Sequence, residues 1–105
     1  MRIYKICTEE LWRETERTGL FPGMPIDLKD GYIHFSTAEQ QAETARKYFS
    51  GQHGLMLLTV ESDALGDALK WEAFSSGTRS GLFPHLYGML EHRNVIHAEP
   101  LIAPT

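Results

Sequence analysis

Cysteine is almost absent from this chain of 105 residues, with Cys7 standing alone. No intramolecular disulfide and no cysteine metal cluster can be built from it. Its place in the apolar run Ile3 to Cys7 makes it a buried small hydrophobe. Long apolar runs are missing too: no stretch approaches the ~20 residues that a membrane-spanning helix requires. The opening MRIYKICTEE lacks the apolar centre of a secretory leader. A cytoplasmic protein with no membrane partner is the expectation. Positive charge is scarce, with 10 Lys and Arg against 14 Asp and Glu and a net charge of −4. General nucleic-acid binding needs a concentrated basic face, and the longest basic run here is Arg46-Lys47. A pocket for one phosphate or one nucleotide stays open, because one or two cations and a few backbone N–H groups suffice for it. Also missing are GxGxxG, GxxxxGK[ST] and GxSxG. None of His53, His92 and His97 has helical metal-ligand spacing with another histidine or a carboxylate, so a zinc motif is unsupported.

What is present describes one ordinary globular domain spanning 1–105. Hydrophobic residues make up 42% of the chain and charged residues 23%, enough for one modest core. Arg2 to Cys7 alternates and predicts a first strand, with Ile3 and Ile6 facing the core. Thr8 caps a helix carrying Glu9 and Glu10 in its first turn, with Leu11, Trp12 and Thr15 on its inner face and Gly19 closing it. A long connection, Leu20 to Gly31, follows, of the kind that is functional or covers something. Tyr32 to Phe35 predicts a short strand. Ser36 to Glu39 then reads as a capping box opening a helix with Ala38, Ala42, Ala45 and Phe49 inward. Leu55 to Val60 is dense enough for a central strand. Ser62 to Gly66 predicts a turn or one helical turn. Ala68 to Phe74 alternates, with Leu69, Trp71 and Ala73 on one face and Lys70 and Glu72 on the other. Residues 75 to 81 read as a flexible segment. Phe83 to Gly88 reads as an aromatic loop, since Pro84 cannot serve a central ladder. Val95 to Ile102 completes the chain as a last strand. The mixed order gives an α+β class.

Chemistry has few places to sit. His34 lies on a strand two residues before Ser36, so imidazole and hydroxyl share one side of that strand. The strand delivers both to a helix N-terminus, and together they would cradle a phosphate or carboxylate. Capping alone would also account for Ser36. His85 sits in FPHLYG, on a backbone stiffened by Pro84, with Tyr87 offering a ring and a hydroxyl. The other reading of that segment is a hydrophobic plug. Glu72, beside Trp71, would fix a tautomer or act as a base if it met either histidine; an exposed strand carboxylate is the alternative. His53, His92 and His97 fall in a loop, a turn and a strand, without a partner motif.

The segments GYIHFST, KWE and FPHLYG together carry a resemblance to a small bacterial family, domain of unknown function 952, over nearly the whole chain. The resemblance implies an ADP-ribosyltransferase-like fold, in which small antiparallel β units and two main helices flank a cleft for NAD. It implies that His34 and Ser36 hold ribose or phosphate, that His85 supplies a second imidazole, and that Tyr87 or Phe35 stacks on the base. Glu72 would orient a hydroxyl or a histidine. The chemistry implied is ADP-ribosyl or related glycosyl transfer, in which an N-glycosidic bond is cleaved and nearby polar groups steady the oxocarbenium charge. The chain departs from that pattern in its late glutamate: Glu72 precedes His85, and Glu99 adjoins Pro100. Only Arg79 and Arg93 lie near the FPHLYG segment. A non-catalytic module binding a small ligand or a partner on the same fold is the alternative, and a metal-dependent His/Glu hydrolase a weaker third.

Overall fold

The computed structural model describes residues 1–73 and 81–103. Arg2–Thr8 forms β1, and Thr8 caps α1, Glu9–Thr18, by accepting the Leu11 N–H on its side chain at 3.1 Å. Gly19 ends α1 in the left-handed region, φ 87°, as a C-terminal cap requires. The connection from Leu20 to Gly31 is structured. It contains β2, Leu20–Phe21, and a short helix α2, Pro25–Asp30. Then come β3, Ile33–His34, α3, Ala38–Phe49, and β4, Leu55–Glu61. A 3-10 segment, Ser62–Ala68, leads into β5, Leu69–Ala73. The chain continues through β6, Leu82–Leu86, β7, Leu90–Glu91, and β8, Val95–Leu101.

The strands form three antiparallel groups: β1-β4-β8, β2-β7 and β3-β6-β5. The class is a mixed α+β fold. β4 is central and apolar on both faces, as its density predicts. Met56, Leu58 and Val60 join Ile3, Cys7, Trp12, Ile33 and Leu86 in the larger core cluster, whereas Leu55 and Leu57 join Ile6 and Ala45 in a smaller one. Ile3 and Ile6 are both buried, but on opposite faces of β1. Among the described residues no helix is long and apolar enough to cross a membrane.

Three expectations change. The cap of α3 is Thr37, which accepts the Gln40 N–H while the Gln40 side chain accepts the Thr37 N–H. Ser36 and Glu39 do not form the box. Ala38 and Ala42 are exposed, leaving Ala45 and Phe49 as the inner contacts of that helix. Finally, the FPHLYG segment is no loop: residues 82–86 are the central strand of β3-β6-β5. Pro84 is tolerated there because its carbonyl points toward β3, accepting the Phe35 N–H at 2.9 Å. Its missing N–H would point the same way, at Phe35 just beyond β3, so the ladder to β3 stops there, and no bond to β5 is lost because Trp71 on that side is its non-hydrogen-bonded partner. The expected segment 75–80 lies outside the described residues.

Candidate functional site

Strand register builds the site. His34 on β3 pairs directly with His85 on β6, and both project from the same face, opposite Ile33 and Leu86 in the core. Their ring centroids are 5.4 Å apart, edge to face. Tyr32, two residues before His34 and therefore on its side of the strand, stacks on His85 at 4.2 Å and touches His34 at 4.5 Å. The aromatic residue between the histidines is thus Tyr32. Phe35 is buried in the core with 3% exposure, although it also lines the cleft, and the Tyr87 ring lies 5.0 Å from Tyr32 at the outer edge.

The two imidazoles are held differently. His85 is 2% exposed and its Nδ1 lies 2.8 Å from Glu72 Oε1. Glu72 pairs with Phe83 across the sheet, so His85 is its diagonal neighbour, and the same oxygen accepts the Tyr87 hydroxyl at 2.7 Å. Burial pulls the His85 imidazole below its ordinary value, although Glu72 opposes this. The neutral ring therefore donates Nδ1–H to Glu72 and carries its lone pair on Nε2. The hydroxyl of Tyr87 and the ring of His85 hold Glu72 below the usual carboxylate range, and Tyr87 itself is pushed up to about 12 by that contact.

His34 sits between two carboxylates. Its Nδ1 lies 2.7 Å from Asp27 Oδ1, and its Nε2 lies 3.0 Å from Asp30 Oδ2. Asp27 is the anchor of the region. Its oxygens also accept the His34 N–H at 3.0 Å and the Met24 N–H at 2.7 Å, and both oxygens face Lys5 Nζ at 2.8 Å. The side chains of Lys5 and Asp27 are 5% and 2% exposed. Burial would raise Asp27, but the His34 ring and the Lys5 ammonium outweigh it and keep the carboxyl below its ordinary value. Burial draws Lys5 down, with Asp27 pulling against it. We take the pair as ionised, since each charge meets its partner within hydrogen-bond distance. This pair straps α2 onto β1 beneath His34.

A cavity of about 590 Å³ opens over these groups. Its walls include Lys5, Lys29, Asp30, Tyr32, Ser36 and Phe83 beside both histidines. Ser36 does reach the cleft alongside His34, its hydroxyl 3.0 Å from that of Thr44. Cys7 contributes no reactivity, since burial pushes its thiol up to about 12. Among the described residues no group of three or more His, Cys, Asp or Glu side chains is placed to hold a metal ion.

His34, Ser36, His85 and Glu72 thus come together as one site, with Glu72 reaching His85 and not His34. Sequence reasoning did not find Lys5, Asp27, Asp30 or Tyr32. Strand periodicity could have found Tyr32. No local signal links Lys5 to Asp27, which meet only through the path of the chain.

The arrangement defines a small cleft-bearing α+β domain with a paired-histidine site. The model of the family described as protein of unknown function, DUF952, matches residues 6–98, and the chain belongs to that family. It is similar to the protein CC0527 of Caulobacter crescentus. In a crystal structure of that protein the identity is 44% and the TM-score 0.89, covering 97% of this chain and 87% of that one. Its solution structure is 45% identical with a TM-score of 0.83, covering 95% and 84%. No curated protein matches the chain.

Proposed function

We propose that the cleft binds a small nucleotide of the NAD or ADP-ribose kind, on an ADP-ribosyltransferase-like fold in the cytoplasm. The observation that carries this reading is the His34–Tyr32–His85 cluster on one sheet face beside a cavity of about 590 Å³. Such a volume lies within the range of pockets that enclose drug-sized ligands. Both larger antiparallel sheets contribute to its walls, Tyr4, Lys5 and Ile6 from one and Phe83 and His85 from the other. The donor set fits a nucleotide: imidazole and hydroxyl at His34 and Ser36 for ribose or phosphate, and aromatic faces at Tyr32 and Phe83 for a base. NAD would supply a labile N-glycosidic bond. The chain's own part in such chemistry is proton handling, with His85 Nε2 taking a proton from an attacking hydroxyl while Glu72 fixes the tautomer.

Binding without turnover is a second reading on the same fold. It is favoured by Glu72, whose Oε1 is engaged by both His85 and Tyr87 and so steadies a histidine instead of a ligand hydroxyl. Calorimetric titration with NAD, ADP-ribose and a 2′-phosphorylated nucleotide tests the common claim. At least one should give heat that His34→Ala abolishes; silence with all three overturns it. Release of nicotinamide from NAD would then separate turnover from binding.

A further inference from the structure

We propose that the position on His34 Nε2 now taken by the Asp30 carboxylate is an anion subsite, where a phosphate group of the ligand displaces Asp30. The choice of a phosphate rests on the nucleotide reading above; the subsite itself rests on geometry. Asp27 and Asp30 approach opposite ends of one imidazole, yet their surroundings differ. Asp27 is 2% exposed and is fixed by Lys5, Met24 and the His34 backbone as well as by the ring. Asp30 is 34% exposed, and His34 is its one hydrogen-bonding partner among the described residues. It is the last residue of α2, followed by Gly31 at φ 85°, and its partly exposed side chain holds no buried partner besides His34 among the described residues.

With Nδ1–H committed to Asp27, the remaining ring nitrogen is directed at the cavity. Taking Asp30 away removes one carboxylate from a cavity wall that also carries Lys5, Lys29 and His34, while Asp27 stays on Lys5 and Glu72 on His85. An entering anion restores that balance, and charge-assisted hydrogen bonds are about twice as strong as neutral ones. A neutral sugar hydroxyl would exchange the stronger contact for a weaker one. Asp30 is therefore an internal stand-in for the ligand's own charge, and it selects anions over neutral sugars.

The test uses the whole chain as wild type and as Asp30→Asn, titrated with inorganic pyrophosphate and with ADP-ribose. Calorimetry gives affinity, and the ¹⁵N resonances of the His34 ring report what reaches Nε2. Asp30→Asn should tighten pyrophosphate binding by ~5- to 20-fold, as removal of one competing charge-assisted contact implies. Saturating pyrophosphate should move the Nε2 resonance in wild type. Unchanged or weaker binding in the variant, or an unmoved Nε2, overturns the subsite. If pyrophosphate binds as expected and ADP-ribose binds to neither protein, the subsite stands and the nucleotide reading falls. If ADP-ribose binds wild type and the variant loses it, the nucleotide reading stands and Asp30 is a ribose ligand. Failure of both probes with both proteins removes both claims.

Discussion

His34 and His85 face each other across β3 and β6 in direct register, 5.4 Å between ring centroids, with carboxylates behind each ring. Environment separates the two rings. His85 is buried against Tyr32 with one carboxylate at its edge, whereas His34 is flanked at both nitrogens. Paired titratable groups in unlike surroundings are a common basis for dividing acid and base duties.

His85 should titrate below the ordinary histidine value of ~6.5 in the folded protein. Because its protonation is disfavoured by folding, the unfolded chain binds more protons in that window. Stability therefore rises with pH, and is lost on acidification from the ordinary value down to the folded one. Glu72→Gln removes the opposing pull and should lower the His85 value further, as read by NMR titration of its ring carbons. An upward movement would show that Glu72 does not support the ring.

The Lys5–Asp27 pair should behave as a buried ion pair. Lys5→Met should cost about 3–5 kcal/mol in urea unfolding, since it strands a buried carboxylate. The double variant Lys5→Met, Asp27→Leu should be less destabilised than the sum of the single changes. Asp27 also contributes acid sensitivity. Its depressed value means that stability present above the usual carboxyl range disappears as pH falls toward the folded value.

Tyr32→Ala should weaken nucleotide binding by ~2- to 10-fold through loss of a ring contact, while Tyr32→Phe keeps it. Titration of ADP-ribose into both variants checks this. Equal loss in the two would place the effect on the hydroxyl and not on the ring.

Gly23 is buried at φ 99°, and a Cβ there would meet Asp27 Cβ at 3.4 Å. Gly23→Ala should destabilise by more than about 1 kcal/mol, from backbone strain before any contact is counted. Thermal unfolding measures it, and a neutral result would show that the approach to α2 relaxes freely.

Local rules carried much of the fold. Thr8, Gly19 and the apolar block at Leu55 act within a few residues, so capping, chirality and burial density disclose α1 and β4 directly. Rules failed where a neighbour decided the outcome. Pro84 reads as a strand breaker in isolation, but its missing N–H faces the end of β3, so no bond to β5 is lost.

For the site, the sequence by itself determined that imidazoles stand at His34 and His85 and that Ser36 shares the side of His34, because strand periodicity is a local property. Tertiary structure decided everything about their chemistry. Pairing of β3 with β6 brings the rings together, β5 sets Glu72 beside His85, and α2 brings Asp27 onto Lys5 and His34. Those contacts join residues far apart in the chain, and the electrostatic state of an imidazole depends on burial and on charges within a few ångströms, which no local pattern encodes.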